Sequence, residues 1–361
     1  MSMILGWDLG GAHLKLALLE DGVPTLVRQV ACPLWQGLDH LRRAIGEGLQ
    51  GIEARCHAVT MTGELSDLFP DRRAGVAALL GVLQEAAPGE IAVYGVDGEF
   101  RSVEETHAAP ERAASANWHA SVRLAAHHAE SGLFLDIGST TTDLVVFEGG
   151  APLAFGLSDA ERLASGELIY QGVVRTPVMA VARAAWFAGQ RVGLANEFFA
   201  TMADIYRLTG DLPPHADQQP SADGRGKSLF LSRARLARMI GEDASAAEDW
   251  AWDRLAGGLA RAQLAFIEAG IEQVLSRVPL DPKAPFIGAG VGRFLGAELA
   301  RRWRHPYQSF DELLAYTGAA PTAADCAPAV AVASLLAMRR TNPGSSASAR
   351  LPRVKAERKP R

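Results

Sequence analysis

Two stretches of the chain place apolar runs and a short polar turn in the same order. Residues 3–9 and 14–19 are apolar runs separated by Gly10, Gly11, Ala12 and His13. The runs Leu133 to Ile137 and Leu144 to Phe147 flank Gly138, Ser139 and three threonines in the same way. Each unit reads strand, Asp-x-Gly, small or polar turn, strand, so the chain is expected to carry two copies of one β-hairpin.

The rest of the pattern alternates. Val23 to Val30 is read as a third strand, and apolar residues at 38, 41, 45 and 49 have helical spacing. A buried strand is expected from Ala58 to Gly63, a helix over 75–86, a strand over 91–96 and an Ala- and His-rich helix over 115–129. After the second hairpin, one long helical region is expected from about Thr176 to Tyr206. Residues 209–228 are rich in Pro, Gly, Asp and Gln and are expected as an exposed loop. Helices follow over 229–240 and 246–277, then a strand running into the turn Gly288 to Gly292, a helix over 296–303 and a last helix over 327–340. Strands alternating with helices predict an α/β class. The restart at Leu133 predicts two lobes: 1–128 plus 326–340, and 129–325. Residues 341–361 are expected to be a disordered basic tail.

Composition narrows the partners. A length of 361 residues suits two domains, and 48% hydrophobic with 21% charged residues is an ordinary globular balance. The net charge of −5 argues against a general nucleic-acid binder. The tail's net +5 leaves −10 for the remainder. Three distant cysteines show no metal-ligand spacing and suit a reducing compartment. No basic-then-apolar leader opens the chain, and Pro328 to Met338 is too short to span a bilayer. A cytoplasmic protein with no membrane and no nucleic-acid partner is the expectation.

The candidate chemistry lies in the repeated turns. Backbone N–H groups of Gly10, Gly11, Gly138, Ser139 and Thr140 are expected to aim at an anion, helped by the permissive glycines and by hydroxyls. Asp8 and Asp136 would face each other as catalytic carboxylates and Mg²⁺ ligands, since that ion takes one or two carboxylates plus phosphate oxygens. Lys15, seven residues after Asp8, would add a positive charge, although a solvated strand lysine is nearly as plausible. Asp143 could pair in its sheet or aid the metal. Gly226-Lys227-Ser228 echoes a P-loop ending but lacks the preceding glycine and strand. Arg225 and Lys227 could reach an anion, with a plain solvated loop the simpler reading.

With these motifs in order, the chain resembles the acetate and sugar kinase/Hsp70/actin superfamily. Asp8-Leu9-Gly10-Gly11 with Lys15 resembles its first phosphate motif, and Asp136-Ile137-Gly138-Ser139-Thr140 its second. Ile287 to Gly292 resembles its adenosine-side motif, with Gly288 and Gly290 at the nucleotide phosphates. Within the superfamily the chain is similar to the hydantoinase/oxoprolinase-like branch, and more narrowly to tetrahydromethanopterin-linked one-carbon pathway proteins of methanofuran-type cofactor assembly. Five phrases carry the narrower likeness: Cys32 to Trp35, Met61 to Leu65, Ala116 to Trp118, Gly166 to Tyr170 and Asn196 to Phe198.

The resemblance implies two ribonuclease-H-like lobes (an actin-like ATPase fold) around an interlobe cleft. It also implies a transferase that joins an aminomethylfuran methyl diphosphate to the phenol of a tyramine- or tyrosine-derived acceptor, releasing diphosphate. ATP could bind but is not required. The phenol must lose a proton, its reference pKa being about 10, and Glu64, Glu167 and His119 are the candidate bases. Two other readings stay open: an ATP-dependent small-molecule kinase or ring-opening amidohydrolase, and a non-catalytic nucleotide-binding regulator. The oligomeric state is open too, a homodimer included.

Overall fold

The computed structural model describes residues 3–314, 316 and 318–341. The tail expected from 341 onward lies outside the described residues apart from Thr341, which ends the last helix. The first sheet is built from β1 (Met3–Leu9), β2 (His13–Glu20) and β3 (Val23–Ala31), followed by α1 (Leu38–Gly48), β4 (Cys56–Met61), α2 (Arg72–Ala86), β5 (Glu90–Tyr94) and β6 (Phe100–Arg101). Two helices, α3 (Val103–Ala108) and α4 (Asn117–His128), lead to the second unit. That unit opens with β7 (Ser131–Ile137), β8 (Thr142–Glu148), β9 (Ala151–Pro152), α5 (Asp159–Ser165) and β10 (Leu168–Ile169). An insertion carries β11 (Ala184–Phe187), β12 (Gln190–Gly193), α6 (Met202–Thr209), α7 (Leu229–Arg238) and α8 (Asp249–Leu275). The chain closes with β13 (Phe286–Ala289), α9 (Arg293–Trp303), β14 (Tyr307–Ser309), α10 (Phe310–Leu313) and α11 (Ala327–Thr341).

The two sheets share one plan. The first runs β3-β2-β1-β4-β5-β6 and the second β10-β8-β7-β13-β14. In each, the first three strands are antiparallel neighbours and the next two join in parallel. This is the ribonuclease-H-like order, present twice, and the expected fold class holds.

Period-2 alternation explains the layers. Leu5, Trp7 and Leu9 of β1 face an outer core under α1 and α2, while Ile4 faces a central core. In β7, Leu133, Leu135 and Ile137 face the outer core of the second lobe, and Phe134 faces the central one. The central layer is α4 and α11, packed on each other between the sheets. The helix α11 packs on β1, β2 and β4 of the first sheet. By contrast α4, which the sequence assigns to the first lobe, rests on β7, β8 and β9 of the second. Gly6 makes the α11 contact feasible, because a Cβ there would lie 1.9 Å from the Ala329 carbonyl oxygen.

The long helix expected over Thr176 to Tyr206 is absent. Pro177 disfavours helix at Thr176, and Ala188 (φ 47°) and Gly189 (φ +78°) form the turn of the β11–β12 hairpin instead. A helix forms only from Met202, where Asp204 Oδ2 accepts from the Thr201 N–H at 3.3 Å. No helix among the described residues is long and apolar enough to cross a membrane.

Candidate active site

The β1–β2 and β7–β8 turns meet at one cavity of about 270 Å³ between the lobes. Their registers match: Asp8 lies opposite Lys15, and Asp136 opposite Asp143. All four line the cavity, with Gly10 to His13 from one turn and Gly138 to Thr141 from the other. The central helices also bring their N-terminal turns to it, through Asn117 of α4 and Pro328 of α11. The N-cap of α4, Ala116, supplies no side-chain cap, so the positive end of that helix is uncompensated.

The turn amides divide into two sets. The Gly10 N–H donates to the Asp8 carbonyl at 3.1 Å and the Gly138 N–H to the Thr141 carbonyl at 2.8 Å. Those two expected anion donors are therefore spent on closing their own turns. The amides of Gly11, Ala12, Ser139 and Thr140 donate to no acceptor among the described residues. Nor do the glycines of the turns have positive φ. Gly10 is required by close approach, since a Cβ would lie 2.5 Å from the His13 carbonyl oxygen. Gly172 plays the same part behind the second turn, against Ser139 and Thr140.

Charge in the cavity is dense and buried. Burial pushes the Asp8 pKa up to about 6, with Lys15 pulling the other way, and that of Asp136 up to about 7. Burial also raises Asp143, against the pull of Arg162, whose Nη2 lies 2.9 Å from Asp143 Oδ1. Arg162 is itself buried over the Trp118 ring at 4.1 Å. Burial opposes the Lys15 charge, yet the neighbouring Asp8 and Asp136 carry its pKa upward. Two residues that line this cavity each carry a buried atom with no hydrogen-bond partner among the described residues, Asp8 Oδ1 and His13 Nε2. Burial, Lys15 and Arg175 hold the His13 pKa down to about 3, so its ring is neutral.

The three expected bases line no part of this cavity. His119 is in the central core, bonded to the Tyr94 hydroxyl at 2.9 Å, with burial holding its pKa down to about 3. Glu167 is fully buried behind α5, accepting from the Phe155 and Gly156 amides and from the Ser165 hydroxyl at 2.6 Å. It is a structural carboxylate at the end of a helix, where the sequence suggested a helix start. Glu64 sits behind the cavity wall made by Thr62, Leu65 and Ser66. Its Oε1 is 2.9 Å from the Ser115 hydroxyl, which is also 3.0 Å from Asp159 Oδ2. One hydroxyl proton serves one carboxylate, so Glu64 completes this network when protonated; burial raises its pKa to about 7.

The 288–292 turn is also closed. The Gly290 N–H donates to Ala324 and the Gly292 N–H to Ile137, and Gly288 is paired in the sheet beneath the Tyr307 ring. Gly288 and Gly290 do not line this cavity, although Gly290 packs against the Asp136 carboxylate, where a Cβ would lie 2.5 Å from Oδ1. Residues 209–228 are tied down rather than loose: Gln219 Nε2 donates to the Ala12 carbonyl at 2.7 Å and Gln218 Nε2 to Gln29 at 3.1 Å. Arg225 pairs with Asp223 at 3.1 Å and Lys227 with Asp217 at 3.0 Å, so neither is spare.

Sequence reasoning missed His13, Arg175 and the wall role of Asn117 and Tyr170. Arg175 follows the segment whose Val173, Val174 and Arg175 amides donate to Gly138 and Ser139, which fixes it beside the second turn. Its guanidinium stacks over the Trp35 ring at 4.5 Å. Asn117 and Tyr170 lie in the distinctive phrases and His13 ends the first hairpin turn, whereas Arg175 carries no local signal. No group of three His, Cys, Asp or Glu side chains able to hold a metal occurs among the described residues. Asp8 and Asp136, one of them with an orphaned oxygen, suit a divalent ion that shares its coordination with phosphate oxygens and water.

A profile of the Hydantoinase/oxoprolinase family matches residues 55–336. A Methanocaldococcus jannaschii protein, (4-{4-[2-(gamma-L-glutamylamino)ethyl]phenoxymethyl}furan-2-yl)methanamine synthase, is 28% identical over 280 residues, covering 77% of this chain and 84% of its own. Among solved structures, (R)-2-hydroxyglutaryl-CoA dehydratase component A of Acidaminococcus fermentans aligns over 94% of this chain and 99% of its own, at 14% identity and a TM-score of 0.48. A ROK family glucokinase of Streptomyces griseus aligns over 92% and 99%, at 13% identity and a TM-score of 0.46.

Proposed function

The chain belongs to the hydantoinase/oxoprolinase family, and from that premise we propose that it is a transferase of methanofuran-type cofactor assembly. Its substrates are an aminomethylfuran methyl diphosphate and a phenolic acceptor derived from tyramine or tyrosine. The name of the Methanocaldococcus relative, which describes a phenoxymethyl furan, supports this class of product. The observation that carries the reading is the cavity shared by the two hairpin turns. Four unpaired amides, Lys15 and Arg175 line a space suited to a short phosphate chain.

The chemistry asks for little covalent participation. The phenol oxygen bonds to the furan-bearing CH₂ as the carbon–oxygen bond to diphosphate breaks, and the diphosphate leaves with the electron pair and takes up the phenol proton. Lys15 and the amides of Gly11, Ala12, Ser139 and Thr140 hold the departing anion and stabilise its growing charge. The His13 ring and Asn117 fix the orientation of the phosphate chain. Three carboxylates against Lys15 and Arg175 give the cavity a formal charge of −1, which repels a bare diphosphate. Mg²⁺ held by Asp8 and Asp136 would supply the missing positive charge as a Lewis acid.

The test is turnover without ATP. Purified protein, Mg²⁺, the furan diphosphate and a glutamyl-tyramine or tyrosine acceptor should yield an ether, seen by mass spectrometry, and one diphosphate per ether. Absence of ether with both acceptors, together with ADP formation from added ATP, would replace this reading with the kinase or amidohydrolase one.

A further inference from the structure

A second chamber of about 400 Å³ adjoins the diphosphate cavity, within the roughly 300–1,000 Å³ range of small-molecule sites. Both lobes build it: Trp35 from the first, and Pro177, Phe198 and Pro220 from the second. Arg175 lines both spaces and stands at their junction. We propose that this chamber is the acceptor subsite, taking a phenol of little net charge whose oxygen meets Arg175. The proposal rests on the diphosphate reading of the first cavity.

Charge separates the two spaces. The chamber is lined by Asp204 and Asp217 against Arg207 and Arg175, a formal balance of zero. Its carboxylates are already satisfied: Asp204 pairs with Arg207 at 3.2 Å and Arg235 at 2.7 Å, and Asp217 pairs with Arg207 and with Lys227 at 3.0 Å. Such a wall has no spare cation for a polyanion except Arg175, and it accommodates a ligand of little net charge. A phosphate chain instead finds its donors at the hairpin turns.

The apolar walls point to an aromatic ring. Trp35 is 36% and Phe198 50% exposed, and both edge the chamber. Aromatic surface left open inside a concave site gains from stacking or edge contact with a ring. Arg175 supplies the third element. Burial lowers its pKa, no carboxylate among the described residues lies within ion-pair distance, and its guanidinium stacks on Trp35. A half-buried, unpaired guanidinium favours an anion beside it, so a phenol oxygen there ionises more easily. The phrases that carry the narrower family likeness converge on these walls: Trp35 and Phe198 edge the chamber, and Leu65, Asn117 and Tyr170 edge the cavity. The chambers are also mechanically joined, because Gln219 of the chamber wall holds the Ala12 carbonyl of the first hairpin turn at 2.7 Å.

The full chain would be titrated calorimetrically with tyramine, and separately with Mg²⁺-pyrophosphate. Phe198→Ala and Trp35→Leu should each weaken tyramine by about tenfold, the loss of one aromatic wall, while pyrophosphate affinity stays within about twofold. Arg175→Met should raise the pH at which bound 4-nitrophenol ionises, a readout that a packing defect alone does not move. Tyramine binding unchanged in both wall variants, or abolished by Lys15→Met at the hairpin, would overturn the subsite. Failure of the unmodified protein to bind Mg²⁺-pyrophosphate, with tyramine bound normally, would instead remove the diphosphate reading. Thermal melts of each variant separate binding loss from unfolding.

Discussion

The two hairpins are copies in backbone and opposites in charge. In β1–β2 the strand partner of Asp8 is a lysine; in β7–β8 the partner of Asp136 is Asp143. The first turn offers bare backbone and a neutral histidine, the second a run of hydroxyls. A duplicated fold can thus keep its register and still divide labour. One copy brings positive charge to an anion, and the other concentrates carboxylate, tempered from behind by Arg162. The single residue opposite the Asp decides which role a hairpin takes.

Substitutions at Asp136 and Lys15 should have the largest effects. Asp136→Asn or Lys15→Met is expected to lower the rate of diphosphate release by about 10²–10³-fold or more, the range for removing a preorganised charge at a developing anion. Equal rates in variant and unmodified protein under saturating Mg²⁺ would end the assignment of that hairpin.

Next comes the partner behind the second hairpin. Arg162→Met leaves Asp143 buried without its ion pair and should cost about 3–5 kcal/mol in urea unfolding. Lys15→Met removes a cation with no carboxylate at ion-pair distance and should cost far less stability. Similar losses in both would mean that the hairpins carry charge alike.

The buried carboxylates predict the reverse effect on stability. Asp8 and Asp136 have pKa values raised from 3.8 to about 6 and about 7, so the folded state binds more protons than the unfolded one across that window. Their contribution to stability is therefore greatest below pH 3.8 and declines as pH rises to about 7. Asp8→Asn should raise the metal-free stability at pH 7.5 by about 1–3 kcal/mol while abolishing turnover. A fall in melting temperature at that pH would refute the burial account.

Two finer changes contrast the turns themselves. Gly10→Ala, with its Cβ 2.5 Å from a backbone oxygen, should cost about 1–3 kcal/mol through forced backbone movement. Gly11→Ala meets nothing nearer than 3.9 Å and should melt like the parent. Ser139→Ala, which removes one hydroxyl and no amide, is expected to weaken Mg²⁺-pyrophosphate by only about 1 kcal/mol, measured by calorimetry.

The fold was readable because its signals are local. Strand periodicity, the Asp-x-Gly turns and the restart at Leu133 all lie within short windows, and the sheets follow them. The reading failed where local signals conflict with packing. The Ala-rich stretch after Thr176 looked helical until Pro177 and the Ala188-Gly189 turn broke it. The expected bases failed for a related reason. Glu64, Glu167 and His119 carry acid–base chemistry by residue type, and only burial and partners reveal that none of the three lines the cavity.

The sequence by itself determined two equivalent hairpins, the residues at their tips and the sign of the charge opposite each Asp. These are properties of single strands and turns, fixed by alternation and by the residue types that close a turn. Only the tertiary structure decided which amides remain unpaired, that Arg175 stands between two chambers and that α4 crosses to the second sheet. Burial raises the carboxylate pKa values for the same reason. Desolvation and hydrogen-bond completion depend on atoms brought together from distant parts of the chain, and no local window of sequence contains them.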